Sequence, residues 1–172
     1  MKNKNEKDPT KVNEAIRLMC QTSIGVLDKG FLCQSLSVLS TKPLCCVKES
    51  DSVADVLNKF CERKIGCVAV VNEQEKITGI FSERDFLLKV AKNYGALQND
   101  PIKRYMTADP VTQPPDGNLA FALNLMSQGG FRHIPIVDAT QTPIGMISVK
   151  DVVDYIVDSF TNDLLNFEVD AT

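Results

Sequence analysis

The chain contains an internal repeat with a spacing of sixty-six residues. The strings GIFSERD (79–85) and GMISVKD (145–151) lie sixty-six positions apart, and the same shift superimposes Leu57 on Leu123. Such a duplication determines the architecture before local propensities are considered, because both copies must adopt the same fold. A lobe of this length buries only roughly 60% of its unfolded surface and is marginal alone. We therefore expect the two copies to pack against each other, with the functional groove between them.

Composition and charge exclude several classes of protein. Of the 172 residues, 44% are hydrophobic, and the formal net charge is −3. The absence of a basic stripe argues against a nucleic-acid surface. No apolar run approaches the roughly 20 residues that span a bilayer, and the first residues lack the apolar segment of a secretory signal. We predict a soluble cytoplasmic protein that binds neither nucleic acid nor membrane.

The cysteines are confined to the first copy and the segment before it. No CxxC pair occurs, so the sequence offers no metal chelate of the usual spacing, and we predict no metal site. The second copy lacks cysteine, so a disulfide cannot be a shared feature of the fold. We expect small apolar packing residues kept reduced in a cytosol. The six are Cys20, Cys33, Cys45, Cys46, Cys61 and Cys67.

Each copy has the same predicted order of elements: strand, helix, strand, strand, helix. In the first copy the predicted elements are 44–48, 52–62, 67–71, 77–81 and 83–92. In the second copy they are 111–113, 118–128, 133–137, 144–147 and 149–159. The predicted fold is therefore an α+β sandwich of two pseudo-symmetric β-α-β-β-α lobes packed sheet to sheet.

The repeat also predicts how the chain is divided. Residues 1–34 form a polar tail and an extra helix without a counterpart in the second copy, and residues 162–172 form a C-terminal tail. The two lobes are 35–93 and 101–161, and the polar residues 93–100 are the predicted linker.

A serine and an aspartate three residues later begin the last helix of each copy. These are Ser82 and Asp85 in the first copy and Ser148 and Asp151 in the second. One interpretation is an ordinary capping box, in which the two side chains satisfy backbone amides. The other is a ligand site, because the helix start attracts anions and a carboxylate there can accept both hydroxyls of a ribose. Both interpretations stay open at this point.

Together these features resemble a tandem pair of cystathionine-β-synthase (CBS) domains, the regulatory unit called a Bateman module. The resemblance covers about residues 36–160 and rests on the opening turn Thr107–Pro110, the segment 131–138 and the two repeated strings. It implies an αβ sandwich with two pseudo-equivalent clefts and pairing of two modules into a flat disc. It also implies adenosine-containing ligands such as AMP, ADP, ATP, NAD(H) or S-adenosylmethionine, and no catalytic cofactor.

The resemblance implies ligand-binding roles for ten side chains. The two aspartates would hold the ribose hydroxyls, and the two serines would lie near the ribose or the phosphate. Two apolar residues of the opening strands would flank the adenine, and four basic residues would lie at the phosphate end or the cleft mouth. In that order these are Asp85 and Asp151, Ser82 and Ser148, Leu44 and Val111, and Arg132, His133, Arg84 and Lys150.

Each basic residue also has a structural interpretation. In this interpretation Arg132 is a solvated edge residue paired with an acid, and His133 is a structural residue of the strand. Arg84 and Lys150 fit plain exposed helix charges. Because side chains alternate along a strand, we expect Arg132 and His133 not to point into one cleft.

The two predicted clefts differ at the phosphate end. Gly66 and Cys67 stand where the second copy has Arg132 and His133. We therefore expect the clefts to differ in their affinity for anions.

These observations favour a non-enzymatic module that senses an adenine nucleotide and signals through a homodimer or an unidentified protein partner, since the chain shows no effector domain of its own. The alternatives are a structural oligomerisation module with an empty cleft and a sensor of the S-adenosylmethionine type. An enzyme would need a cysteine paired with His133, the only histidine. We do not favour it, because every cysteine lies in the first half of the sequence.

Overall fold

The computed structural model describes residues 33–39 and 44–165. The predicted N-terminal helix, the opening turn 40–43 and the end of the predicted C-terminal tail lie outside these residues. The remaining architecture is a mixed α and β fold built twice.

The first copy begins with strand β1 and helix α1. Ser52 caps α1 through its side chain, which accepts a hydrogen bond from the Asp55 amide, and Lys64 ends the helix with φ of 53°. Three buried side chains at helical spacing, Val53, Val56 and Phe60, place one face of α1 on the core. The elements are β1 Cys46–Lys48, α1 Val53–Arg63, β2 Cys67–Val71 and β3 Ile77–Ser82.

The helical segment after β3 is irregular, where the sequence predicted one helix over 83–92 followed by a linker. Its last turns pack on the core of the first copy. Tyr94 meets Phe86 edge to face with ring centroids 6.0 Å apart, and Leu97 lies against the same core. The segment comprises helix α2 Glu83–Asp85, a π-helical turn Phe86–Val90, a 3-10 turn Ala91–Asn93 and helix α3 Tyr94–Leu97.

The second copy repeats this order with two differences from the prediction. The expected strand at 111–113 is a single bridge, in which Gln113 pairs with Ile136, because Pro110 and Pro114 on either side cannot donate to a ladder. The last helix also runs four residues into the predicted C-terminal tail. The elements are β4 Thr107–Ala108, α4 Leu119–Gly129, β5 His133–Val137, β6 Pro143–Ser148 and α5 Val149–Leu165.

The two copies share a sheet. The first sheet has the order β1-β2-β3-β4, so its edge strand β4 comes from the second copy. There Gly79 pairs with Ala108 and Ile80 with Thr107. The second sheet contains β5 and β6, which run antiparallel. The opening strand of the second copy therefore lies beside the strand that leads into Ser82.

Each copy also places its opening segment in the core of the other. Leu36 is buried among second-copy residues, and Ile102 is buried among first-copy residues. The backbone repeats the exchange, because the Leu36 amide donates to Gly117 O at 2.7 Å and the Ile102 amide donates to Asp51 O at 2.8 Å. The two lobes are thus interlocked, and each core draws one segment from outside its own repeat.

Candidate functional site

A cavity of about 390 Å³ lies between the two copies. The first copy contributes the end of β3 and the start of the following helix, including Ser82, Arg84 and Asp85. The second copy contributes its opening segment, Thr107 to Val111, and the turn before β5, residues 129 to 133. A molecule bound here would therefore touch both copies. We call this the larger cavity.

A second cavity of about 100 Å³ has the reciprocal arrangement. Ser148 and Asp151 come from the second copy, whereas Leu44 and residues 64 to 67 come from the first. His133 lines both cavities and so lies at the seam between them. We call this the smaller cavity.

Asp85 uses its two carboxylate oxygens differently. Oδ2 accepts hydrogen bonds from the Ser82 amide at 3.0 Å and the Ser82 hydroxyl at 2.7 Å, which is the capping box. Oδ1 accepts from the Thr107 hydroxyl at 3.0 Å and lies 2.7 Å from Lys89 Nζ. The capping interpretation therefore accounts for one oxygen, while the other is directed across the seam at the second copy.

The electrostatic environment keeps Asp85 ionised. Burial acts to raise the pKa of this carboxyl, but hydrogen bonds from Lys89, Ser82 and Thr107 and the positive charge of Lys89 outweigh it. The pKa therefore lies below its usual value. An ionised carboxylate accepts hydrogen bonds and donates none, as a site for hydroxyl groups requires.

Asp151 has the same cap and fewer other contacts. Its Oδ2 accepts from the Ser148 amide at 2.7 Å and the Ser148 hydroxyl at 2.6 Å. Among the described residues, nothing donates to its Oδ1. The residue equivalent to Lys89 is Tyr155, whose hydroxyl contacts Gln34 instead.

The basic residues named from the sequence are divided between cavity and surface. Arg132 and His133 both line the larger cavity, contrary to the expected alternation, because Arg132 lies in the bend before β5 and not within the strand. Arg84 also lines it, and its guanidinium donates to Gly130 O at 2.9 Å across the seam. Lys150 lines neither cavity, since it pairs with Asp154 one turn further along α5.

Apolar side chains form part of each wall. Val111 and Ile80 line the larger cavity, with the exposed Leu88 at the same site. Leu44 and Met146 line the smaller cavity. Both residues expected to flank an adenine therefore lie at a cavity, each facing the aspartate of the other copy.

Cys67 and His133 both line the smaller cavity, although they belong to different copies. Their separation in the sequence therefore does not exclude a catalytic pair. The chemistry of the thiol argues against one, because burial and the nearby charge of Asp85 raise the pKa of Cys67 to about 12. A thiol of that pKa stays protonated near neutrality and is a poor nucleophile.

Several residues of the larger cavity and its rim were not assigned a role from the sequence, among them Ile80, Leu88, Thr107 and Lys89. Thr107 belongs to the opening turn already singled out, and Lys89 stands four residues after Asp85, a spacing that places two residues on one helix face. Leu88 carried no usable signal, because an apolar residue in an amphipathic helix is normally a core residue.

Metal-binding clusters and membrane-spanning helices are both absent from the described residues. No group of three or more histidine, cysteine, aspartate or glutamate residues in this part of the chain is arranged to hold a metal ion. Nor does any helix within 33–39 and 44–165 combine the length and apolarity needed to cross a membrane.

Comparison with known proteins identifies the repeated unit. Residues 36–92 and 102–158 each match the sequence profile of the CBS domain. An uncharacterised 17.7 kDa protein of Acidianus ambivalens is 29% identical over 126 residues, which is 73% of this chain and 75% of that protein. The mitochondrial CBS domain-containing protein CBSX3 of Arabidopsis thaliana is 30% identical over 118 residues. That match covers 66% of this chain and 57% of the relative, so the chain spans less than two thirds of it.

Solved structures resemble the fold over most of their length. The crystal structure of CBSX2 in complex with AMP superimposes with a TM-score of 0.63 at 26% identity, covering 73% of this chain and 97% of that one. A protein of Agrobacterium tumefaciens containing CBS domains superimposes with a TM-score of 0.65 at 25% identity, covering 74% and 96%.

Proposed function

The chain belongs to the CBS-domain family, and from this membership we propose that it is a regulatory module that binds an adenine nucleotide in the larger cavity. The ribose hydroxyls would donate to Asp85, and a phosphate would lie toward Arg132. Val111 and Ile80 would flank the adenine. The solved complex of a relative with AMP supports this class of ligand.

One observation carries the proposal: an ionised carboxylate and an arginine from different copies line one cavity of about 390 Å³. That volume falls within the range of about 300–1,000 Å³ that small-molecule sites usually have. The smaller cavity, at about 100 Å³, is below it. The guanidinium of Arg132 makes no hydrogen bond or ion pair with any other described residue, so its planar fork is available to a phosphate.

A ligand in this position would act on the seam between the copies. It would contact the start of the helical segment after β3 and the opening segment of the second copy. Strand β3 leads into the first of these, β4 is part of the second, and the two strands pair with each other. Regulation requires that the ligand bind two arrangements of the copies with different affinity. We propose that the resulting shift is transmitted to a separate protein.

The test is a thermal unfolding series with AMP, ADP, ATP, NADH and S-adenosylmethionine. A ligand that binds only the folded protein adds about 2.7 kcal/mol of stability at 100 times its dissociation constant. We expect this gain with at least one phosphate-bearing member of the series. A gain with S-adenosylmethionine alone would favour the alternative ligand class.

The matched control is 2′,3′-dideoxyadenosine monophosphate, which keeps the base and phosphate but lacks both ribose hydroxyls. It is expected to stabilise the protein much less than AMP, because it cannot donate to Asp85. Equal stabilisation by the two nucleotides would contradict the role of the carboxylate. No stabilisation by any member of the series would favour the structural oligomerisation module.

We further propose that the chain forms a homodimer through an apolar surface on the helical segment after β3 and on helix α5, the last helical element of each copy. Leu87 is 68% exposed, and its repeat equivalent Val153 and the nearby Val157 are each about half exposed. Light scattering is expected to give twice the 19.0 kDa chain mass. Leu87→Glu should reduce the mass to that of one chain, whereas Ile144→Glu, at an exposed position elsewhere, should not. A single-chain mass for the unmodified protein would contradict the proposal.

A further inference from the structure

Every hydrogen-bond acceptor position of Asp85 is occupied by a donor from the protein itself. A carboxylate has two oxygens with about four lone-pair positions. The amide and hydroxyl of Ser82 fill Oδ2, and Thr107 and Lys89 fill Oδ1. A ribose that donates two hydroxyls can bind only if donors now present leave. The two Ser82 donors belong to the helix cap, so Lys89 and Thr107 are the ones to be displaced.

Lys89 is held at this position by more than one contact. Its Nζ lies 2.7 Å from Asp85 Oδ1 and donates to Tyr105 O at 2.9 Å. It also lies 3.4 Å from both Met106 O and the Thr107 hydroxyl. The ammonium therefore bridges the site aspartate of the first copy and the opening segment of the second.

The cost of displacing Lys89 depends on what the ligand offers in return. The side chain of Lys89 is 38% exposed and that of Asp85 only 13%, so moving the ammonium leaves a mostly buried carboxylate without its counter-charge. A phosphate group in the same cavity would supply a new anion for the freed ammonium. A nucleoside without phosphate would supply none.

We propose that Lys89 is a specificity-determining residue that selects phosphate-bearing nucleotides over nucleosides at the larger cavity. Lys89 competes with any ribose for Asp85. The loss of its ion pair with Asp85 is compensated only when the ligand carries an anion. The inference rests on the proposed function, since it concerns the same site. The repeat supplies a contrast, because Tyr155 takes the equivalent position beside Asp151 and brings no positive charge.

The experiment measures dissociation constants for AMP and for adenosine by calorimetry in an Asp151→Ala background, which removes the second carboxylate from consideration. In Lys89→Met, adenosine should bind about fivefold more tightly, because a partly exposed ion pair no longer competes. AMP should bind the same or more weakly, because its phosphate loses a cation. The preference for AMP over adenosine should therefore fall by about fivefold or more.

Two variants serve as controls. Lys92→Met makes the same change of charge in the same helical segment, at an exposed residue that does not pair with Asp85, and should leave both constants unchanged. Lys89→Arg keeps the cation and should keep the preference. If Lys89→Met unfolds, the preference for AMP over adenosine can still be measured in Lys89→Arg. A thermal unfolding curve of each variant shows whether it is folded.

The possible failures can be told apart. If adenosine and AMP bind but their ratio is the same in Lys89→Met and the background protein, the selective role of Lys89 is wrong while the proposed function stands. If the ratio changes equally in Lys92→Met, the effect belongs to net charge and the inference is also wrong. If the folded protein binds neither ligand in any variant, the proposed function fails, and the inference fails with it.

Discussion

Replacing Ile102 with alanine is expected to lower the free energy of unfolding by about 2–5 kcal/mol. Ile102 belongs to the second repeat but is 0% exposed within the core of the first. Truncation removes buried methyl and methylene groups and leaves a cavity that neighbours on rigid strands fill only in part. Because small domains are stable by only about 5–15 kcal/mol, this single change should remove a large part of the total.

Urea denaturation gives the measurement, with an unchanged slope indicating that the folded state is otherwise intact. Ile144→Ala is the matched control, since it deletes the same atoms at a position that is 51% exposed, and it should change stability by no more than about 0.5 kcal/mol. If Ile102→Ala behaves like this control, the opening segment does not interlock the two lobes. The exchange of segments would then have no energetic consequence.

The interlocking itself could not be predicted from the sequence. In the structure, Leu36 and Ile102 are equivalent, since each begins a short 3-10 helix at the start of its copy. Apolar periodicity reports which face of an element is buried, but not which core receives it. A short segment of three helical residues, such as Leu36–Val38 or Ile102–Arg104, also has too few residues to carry a periodic signal. Its partner is fixed only by tertiary packing.

The main elements were predictable because their signals are local. Ser82 and Asp85 at the start of α2 form the capping box that one interpretation of the sequence predicted. The irregular turns of Phe86–Val90 were not predictable, because a π-helical turn and an α-helix have nearly the same apolar spacing. Gln113 shows a different limit, since flanking prolines reduced a predicted strand to one bridge.

The sequence repeat identified many of the residues that line the two cavities, but not how the copies combine at each cavity. Nine of the ten residues named from the sequence line at least one of the two cavities, Lys150 being the exception. Which aspartate faces which basic residue was not predictable, because each cavity combines the aspartate of one copy with the opening segment of the other. The contact of Thr107 with Asp85 depends on the pairing of β3 and β4 and so has no local signature.

Removing the Asp85 carboxylate is expected to weaken AMP binding by about 100-fold. Each hydrogen bond from a ribose hydroxyl to an ionised acceptor contributes about 1.5–3 kcal/mol, and two of them are lost. A total of about 3 kcal/mol corresponds to roughly a hundredfold change in dissociation constant. Calorimetric titration of Asp85→Ala with AMP measures it, under conditions in which thermal unfolding shows the variant to be folded.

The control for this variant must separate the ligand role of Asp85 from its role as a helix cap. Asp55 provides that control, because it occupies the equivalent position of α1 and its Oδ2 accepts from the Ser52 hydroxyl at 2.6 Å, as Asp85 accepts from the Ser82 hydroxyl, but it lines neither cavity. Both Asp85→Ala and Asp55→Ala should lose about 0.3–1 kcal/mol of stability, because each removes a carboxylate from the first turn of a helix. Only Asp85→Ala should lose affinity for AMP. An equal loss in the two variants would mean that the repeated serine and aspartate serve the helix alone, and a ligand site at the seam would then be the wrong interpretation of the repeat.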